Sequence, residues 1–108
     1  MTTLSTHVLD AVSGSPAAGV PVTLTAADGS VLADGHTNAD GRIGDLGGGC
    51  TATGIYRLRF DTATYFAAAG IVGFYPEIVI AFEITDTSAK YHVPVLLSPY
   101  AYSTYRGS

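Results

Sequence analysis

Apolar and polar residues alternate along several stretches of the chain, the pattern of a strand with one face on a core and the other toward solvent. In "VPVTLTA" the residues Val20, Val22, Leu24 and Ala26 share a face. In "IYRLRFD" Tyr56, Leu58 and Phe60 oppose Arg57 and Arg59, and in "IVIAFEIT" Ile78, Ile80, Phe82 and Ile84 oppose Val79, Ala81, Glu83 and Thr85. Turn chemistry separates these runs, with "SGSPAAG" at 13–19, "ADGS" at 27–30, "ADGR" at 39–42 and "GDLGGG" at 44–49. Gly supplies positive φ there, and Asp bonds its own backbone. The triple glycine at 47–49 predicts a flexible connection. One stretch departs from the alternation: "DTATYFAAAGI" is alanine-rich, with Asp61 or Thr62 as N-cap and Gly70 as stop, and predicts a short helix. Many short strands with a single helix predict an all-β, two-sheet antiparallel sandwich. We expect one domain spanning residues 1–108.

The same alternation sorts the histidines. In "LSTHVLD" Leu4, Thr6 and Val8 lie on one side, with Ser5, His7 and Leu9 on the other. In "YHVPVLLS" Tyr91, Val93, Val95 and Leu97 form the apolar face, and His92, Pro94, Leu96 and Ser98 its reverse. His7 and His92 are therefore expected to point away from the core. Pro94 cannot donate a ladder hydrogen bond, which predicts an edge strand or a bulge. His36 falls in a turn-rich connection, "DGHTNADGR". On patterning alone each histidine reads as a surface or hydrogen-bonded structural residue, and Arg42 as a solvated charge after a turn. The histidines include no close-spaced pair and there is no cysteine pair, so no metal site is expected. A GxSxG elbow, a phosphate-binding glycine loop and a dinucleotide fingerprint are all absent, and no cofactor is expected.

Composition narrows the partners. The chain of 108 residues is 47% apolar and only 13% charged, which excludes disorder and suggests that part of its surface is covered by another subunit. Nine acidic and five basic residues give a net charge of −4, with no basic cluster to hold nucleic acid or an anionic membrane. Cys50 is the only cysteine, so no intrachain disulfide is possible and the thiol reads as inert. No run approaches the roughly 20 apolar residues of a membrane span. The opening "MTTLSTHVLD" has neither the basic start nor the apolar run of a secretion signal, and a cytoplasmic location is expected.

Taken together, "LSTHVLD", "PAAGVPVTL", "TNADGRI", "FYPEI" and the terminal "YHVPVLLSPYAYSTYRGS" closely resemble the 5-hydroxyisourate hydrolases, the transthyretin-related enzymes of urate breakdown. The resemblance runs from Leu4 to Ser108, and the ending "YRGS" is the mark that separates these enzymes from the hormone-carrying transthyretins. It implies that His7, Arg42 and His92 are catalytic, and that His7, Arg42, Tyr105 and Ser108 bind substrate. His36 matches no functional position of the family. Two positions depart from the family pattern: Ala101 stands where glycine is usual, and Val95 where leucine is commoner. The implied assembly is a homotetramer, a dimer of dimers built from subunits of two four-stranded sheets, with active sites in a channel between dimers. The implied reaction opens the lactam of 5-hydroxyisourate with water to give 2-oxo-4-hydroxy-4-carboxy-5-ureidoimidazoline. The two imidazoles would activate water, the guanidinium would hold the developing charge, Tyr105 would orient the ring and Ser108 would help close the site. A non-catalytic, transthyretin-like carrier of a small ligand is the competing expectation.

Overall fold

The computed structural model describes residues 2–108. In chain order its strands are β1 (Thr3–Asp10), β2 (Ser15–Pro16), β3 (Pro21–Ala26), β4 (Val31–His36), β5 (Arg42–Ile43), β6 (Gly54–Phe60), β7 (Ile78–Ile84), β8 (Lys90–Ser98) and β9 (Ala101–Thr104), with helix α1 (Thr62–Ala68) between β6 and β7. One sheet has the order β4-β3-β6-β7. In the other, β8 lies on one edge of β1 and β9 lies beyond β8, while the two-residue strands β2 and β5 share the opposite edge of β1. All pairings are antiparallel except β1 with β8, whose parallel register begins at Thr3–Lys90 and Leu4–Tyr91. The sandwich is thus as expected, with one parallel pair inside it that alternation could not reveal.

The inner faces are the predicted ones. Leu4 and Val8 of β1, Val22 and Leu24 of β3, Tyr56, Leu58 and Phe60 of β6, and Tyr91, Val93, Val95 and Leu97 of β8 are all buried. Each large apolar side chain removed from water contributes roughly 1.5–3 kcal/mol. In β7 only Ile78 and Ile84 are fully covered; Ile80 and Phe82 are half-buried, because they line the open side of the sandwich. Polar groups carried inward are satisfied: Thr6 Oγ1 donates to the Val93 carbonyl at 2.7 Å, tying β1 to β8.

Asp61 caps α1 by accepting from the Thr64 amide, and Phe66 anchors the helix in the core. The Tyr65 hydroxyl donates to Asp10 at 2.8 Å, and burial, reinforced by that carboxylate, pushes its pKa up to about 12. The other oxygen of Asp10 accepts the amides of Val12 and Ser13, so one carboxylate joins the end of β1, the following turn and the helix. The glycines at 47–49 form a 3₁₀ turn with Gly47 buried, so this segment is packed against β1, not flexible as expected. Asp45 Oδ1 accepts the amides of both Leu4 and Gly47 and holds it there. No helix among the described residues is long and apolar enough to cross a membrane.

Candidate active site

On β1, Ser5 and His7 occupy the half-buried face opposite Leu4, Thr6 and Val8, and on β8 His92 and Pro94 occupy the reverse of Tyr91, Val93 and Val95. The parallel register sets Ser5 beside His92 and His7 beside Pro94. On the other edge of β1, the short antiparallel pair sets Arg42 directly across from His7. Side chains directly opposite in such a pair have Cβ atoms about 5 Å apart. Residues distant along the chain therefore meet on one outer face of the first sheet.

Arg42 reaches this position through the "TNADGR" turn. Asn38 Oδ1 accepts the amides of Asp40 and Arg42 at 2.9 and 3.0 Å, and the Asn38 amide donates to the Arg42 carbonyl at 3.0 Å. Gly41 adopts φ 72°, and its carbonyl receives the Val8 amide at 2.7 Å, which docks the turn onto β1. A Cβ at Gly41 would collide with the Val8 carbonyl, so both its conformation and its contact require glycine.

Among the described residues, neither the His7 ring nor the Arg42 guanidinium makes a hydrogen bond within the protein, which leaves their donors and acceptors open to solvent or a ligand. The His92 ring makes one, between Nδ1 and Ser5 Oγ at 2.7 Å. Burial first, then the Arg42 guanidinium and then the His7 imidazole hold the His92 pKa below its ordinary value, while the Ser5 main chain acts the other way. Such a ring stays neutral at neutral pH and can accept a proton.

The C-terminal segment returns along β8. Strand β9 pairs with Val95–Ser98, the ladder breaks at Pro94, which has no N–H to offer, and a single bridge resumes between His92 and Gly107. The Gly107 amide donates to the His92 carbonyl at 2.8 Å, and Thr104 Oγ1 donates to the Pro94 carbonyl at 2.8 Å. Pro94 thus lies in an interior strand flanked by β1 and β9. Its effect is the broken outer ladder, which leaves Tyr105 and Arg106 unpaired; it marks neither the expected edge strand nor the alternative bulge, since Val95–Thr104 and His92–Gly107 keep one register. Gly107 lies so close to the His92 ring and to Pro94 that a Cβ there would overlap the imidazole.

Tyr105 is exposed and lines, with Ile80, Phe82, Tyr91, His92 and Arg106, a cavity of about 300 Å³ at the open side between β7 and the C-terminal segment. The Arg106 guanidinium lies 4.7 Å from the centre of the Tyr91 ring. Of His7, Arg42 and His92, only His92 reaches this cavity; His7 and Arg42 face the outer surface of the sheet. Ser108 is exposed, next to the Gly107 bridge, and its side chain bonds none of His7, Arg42 and His92. His36 ends β4 in the other sheet and joins neither group. Cys50 is buried, and that burial, with Asp45 nearby, raises its thiol pKa and favours the protonated form.

Sequence reasoning missed two contributors to this geometry, Ser5 and Gly107. Ser5 shares the His7 face by simple alternation, so its side was visible; its partner depends on which strand lies beside β1. Gly107 lies in the "YRGS" motif, but its contact with His92 requires the chain reversal after Ser98.

The model of the HIUase/transthyretin family matches residues 4–107. The chain is 44% identical over 115 residues to the 5-hydroxyisourate hydrolase of Caulobacter vibrioides, with both proteins covered in full. Its structure resembles that of Klebsiella pneumoniae 5-hydroxyisourate hydrolase with a TM-score of 0.91 and 42% identity over all of both chains. It also resembles transthyretin from Sparus aurata, with a TM-score of 0.85 and 31% identity over 97% of this chain and 96% of the other.

Proposed function

The chain belongs to the HIUase/transthyretin family, and from that premise we propose that it hydrolyses 5-hydroxyisourate to 2-oxo-4-hydroxy-4-carboxy-5-ureidoimidazoline, a step of urate degradation. The observation that carries this reading is the meeting of His7, Arg42 and His92 on one outer sheet face, in a chain 44% identical over its full length to a hydrolase of that name.

Lactam hydrolysis needs a base for water, charge stabilisation for the tetrahedral oxyanion and a proton for the departing nitrogen. His92 is the base: its lowered pKa keeps the imidazole neutral, and it takes a proton as the water oxygen adds to the lactam carbonyl. Arg42 binds the carbonyl oxygen, on which the charge develops, and the substrate's anionic edge with its forked donors. His7, directly across from Arg42, helps to position the water and to pass the proton on. The C–N bond then breaks, the ring nitrogen leaves with the proton that the base had taken, and the carbonyl carbon becomes a carboxylic acid, which gives its own proton to solvent. Tyr105 orients the substrate ring and Ser108 helps to close the site; their support is the docking of neighbouring Gly107 against His92.

The working form is a homotetramer in which the active faces meet across a channel. Several observations support association at the open side. The outer edges of β7 and β9 have no partner strand within the chain. Phe74, Tyr75 and Tyr102 form a run of edge-on aromatic contacts beside them while staying exposed. Open edges and apolar patches of this kind are normally covered. The protein acts in the cytoplasm, for which a lone buried cysteine is suited.

The test generates 5-hydroxyisourate from urate with a urate oxidase and follows its ultraviolet decay with and without this protein. Acceleration well beyond spontaneous decay is expected, together with a tetrameric mass by light scattering. The likeness to Sparus aurata transthyretin makes a carrier the second reading. Saturable binding of the substrate without accelerated decay would establish the carrier and overturn the hydrolase.

A further inference from the structure

We propose that Ser5 is a positioning residue for His92: its oxygen accepts the proton on Nδ1, and the ring is thereby held in the one tautomer that presents the Nε2 lone pair outward. The inference rests on His92 being the base of the reaction above, and it adds the group that makes it one.

The contact is built into the fold. Ser5 and His92 are partners in the parallel β1–β8 register, and Ser5 Oγ lies 2.7 Å from Nδ1. That is the only hydrogen bond the ring makes among the described residues. Gly107 presses against the Cγ–Cδ2 edge, where a Cβ could not fit. With one nitrogen engaged by β1 and the carbon edge covered by the C-terminal segment, Nε2 is the nitrogen left open.

The direction of the bond follows from which nitrogen is open. A hydroxyl can donate or accept; with Nε2 the open nitrogen, the one that takes the proton from water, the ring hydrogen sits on Nδ1 and Ser5 Oγ accepts it. The titratable and charged groups around the ring are His7 from β1, Arg42 from β5, Lys90 on its own strand, Tyr105 and Arg106 from the C-terminal segment, and Glu83 across the cavity on β7. None of them bonds the imidazole, so the tautomer is left to Ser5.

The experiment combines ¹⁵N-histidine NMR with kinetics on the full-length protein. Above its depressed pKa, His92 in the parent should show a protonated Nδ1 and an unprotonated Nε2. Ser5→Ala should lose that preference and lower kcat/KM about tenfold, the worth of one lost hydrogen bond, while melting near the parent temperature. Ser5→Thr, which keeps the hydroxyl, should restore both the ring signature and most of the rate. A parent ring protonated on Nε2 would overturn the proposal, as would Ser5→Ala with the parental spectrum and rate. If the parent failed to open 5-hydroxyisourate, the functional reading would fall, while the nitrogen spectrum would still decide the role of Ser5.

Discussion

The two sheets of the sandwich present outer faces that alternate in the same way and carry different chemistry. On the second sheet, Arg57 and Arg59 of β6 point outward and are exposed, and Arg59 pairs with Glu77 at 2.7 Å in a bridge whose side chains remain about half open, 47% and 42%. On the first sheet, Ser5, His7 and His92 also point outward but are half-buried, with a turn docked along one edge and the C-terminal segment along the other. Pointing away from the core thus has two meanings. Where nothing flanks the strand, a charge is solvated and cheap to change; where other segments flank it, partial burial makes each polar group depend on its neighbours.

The sharpest way to break this comparison is to remove both imidazoles. His7→Asn with His92→Asn should abolish hydrolysis of 5-hydroxyisourate, while the thermal transition and the assembly remain close to the parent, because neither ring fills the inner core. Collapse of the fold would mean that the first sheet's outer face is structural after all. Arg42→Lys comes next. A single ammonium cannot reproduce a bidentate fork, and loss of one oxyanion-type donor typically costs about 10²–10³ in turnover. Steady-state rates for Arg42→Lys and for Arg57→Lys should therefore differ by that factor, with Arg57→Lys at the parental rate. Equal rates would reduce Arg42 to a surface charge like the others.

The pH profile sharpens the comparison by a smaller margin. With a neutral His92 as the proposed base, activity should disappear as the ring protonates. Because the folded pKa lies below the ordinary 6.5, the fall in kcat/KM should occur below pH 6.5, not at it. Arg42→Gln removes the second largest cause of the depression and leaves the first, burial. Its acid limb should consequently move upward, part of the way to 6.5, whatever its absolute rate. A profile flat from pH 5 to 8 would contradict the base role of His92, and a limb that stayed put would separate Arg42 from His92 electrostatically.

Much of this architecture is legible along the chain because burial has a period of two: Leu58 and Phe60 lie inside, Arg57 and Arg59 outside, and "DTATYFAAAGI" breaks the pattern where the helix stands. Periodicity names a face and says nothing about which strand lies alongside. The pairing of His7 with Arg42, and the parallel neighbours Ser5 and His92, depend on contacts between segments far apart in the chain. Pro94 misled for the same reason. A missing N–H says that one ladder bond is absent, but the absent bond proved to be one toward the C-terminal segment of an interior strand. Ala101, where the resemblance leads us to expect glycine, starts β9 with no positive φ, so alanine there carries no backbone strain. The roles assigned to His7, Arg42 and His92 came from the resemblance to those enzymes. Patterning alone made them outward-facing polar residues.

The smallest effect belongs to the second sheet. The Arg59–Glu77 bridge is short, and Glu77 is the main reason the Arg59 pKa is raised, yet both side chains stay in contact with water. Solvent screening and the entropy of fixing two long side chains leave such a pair worth about 0–1 kcal/mol. Arg59→Gln and Glu77→Gln should each lower thermal stability only slightly, and less so in high salt, where an exposed pair is already screened. Their kcat/KM should match the parent, because the pair lies on the opposite sheet from His7 and His92. A double-mutant cycle on melting temperature with a coupling well above 1 kcal/mol would show that this face, too, is covered in the assembled protein. The contrast between the two outer faces would then be a property of the isolated subunit alone.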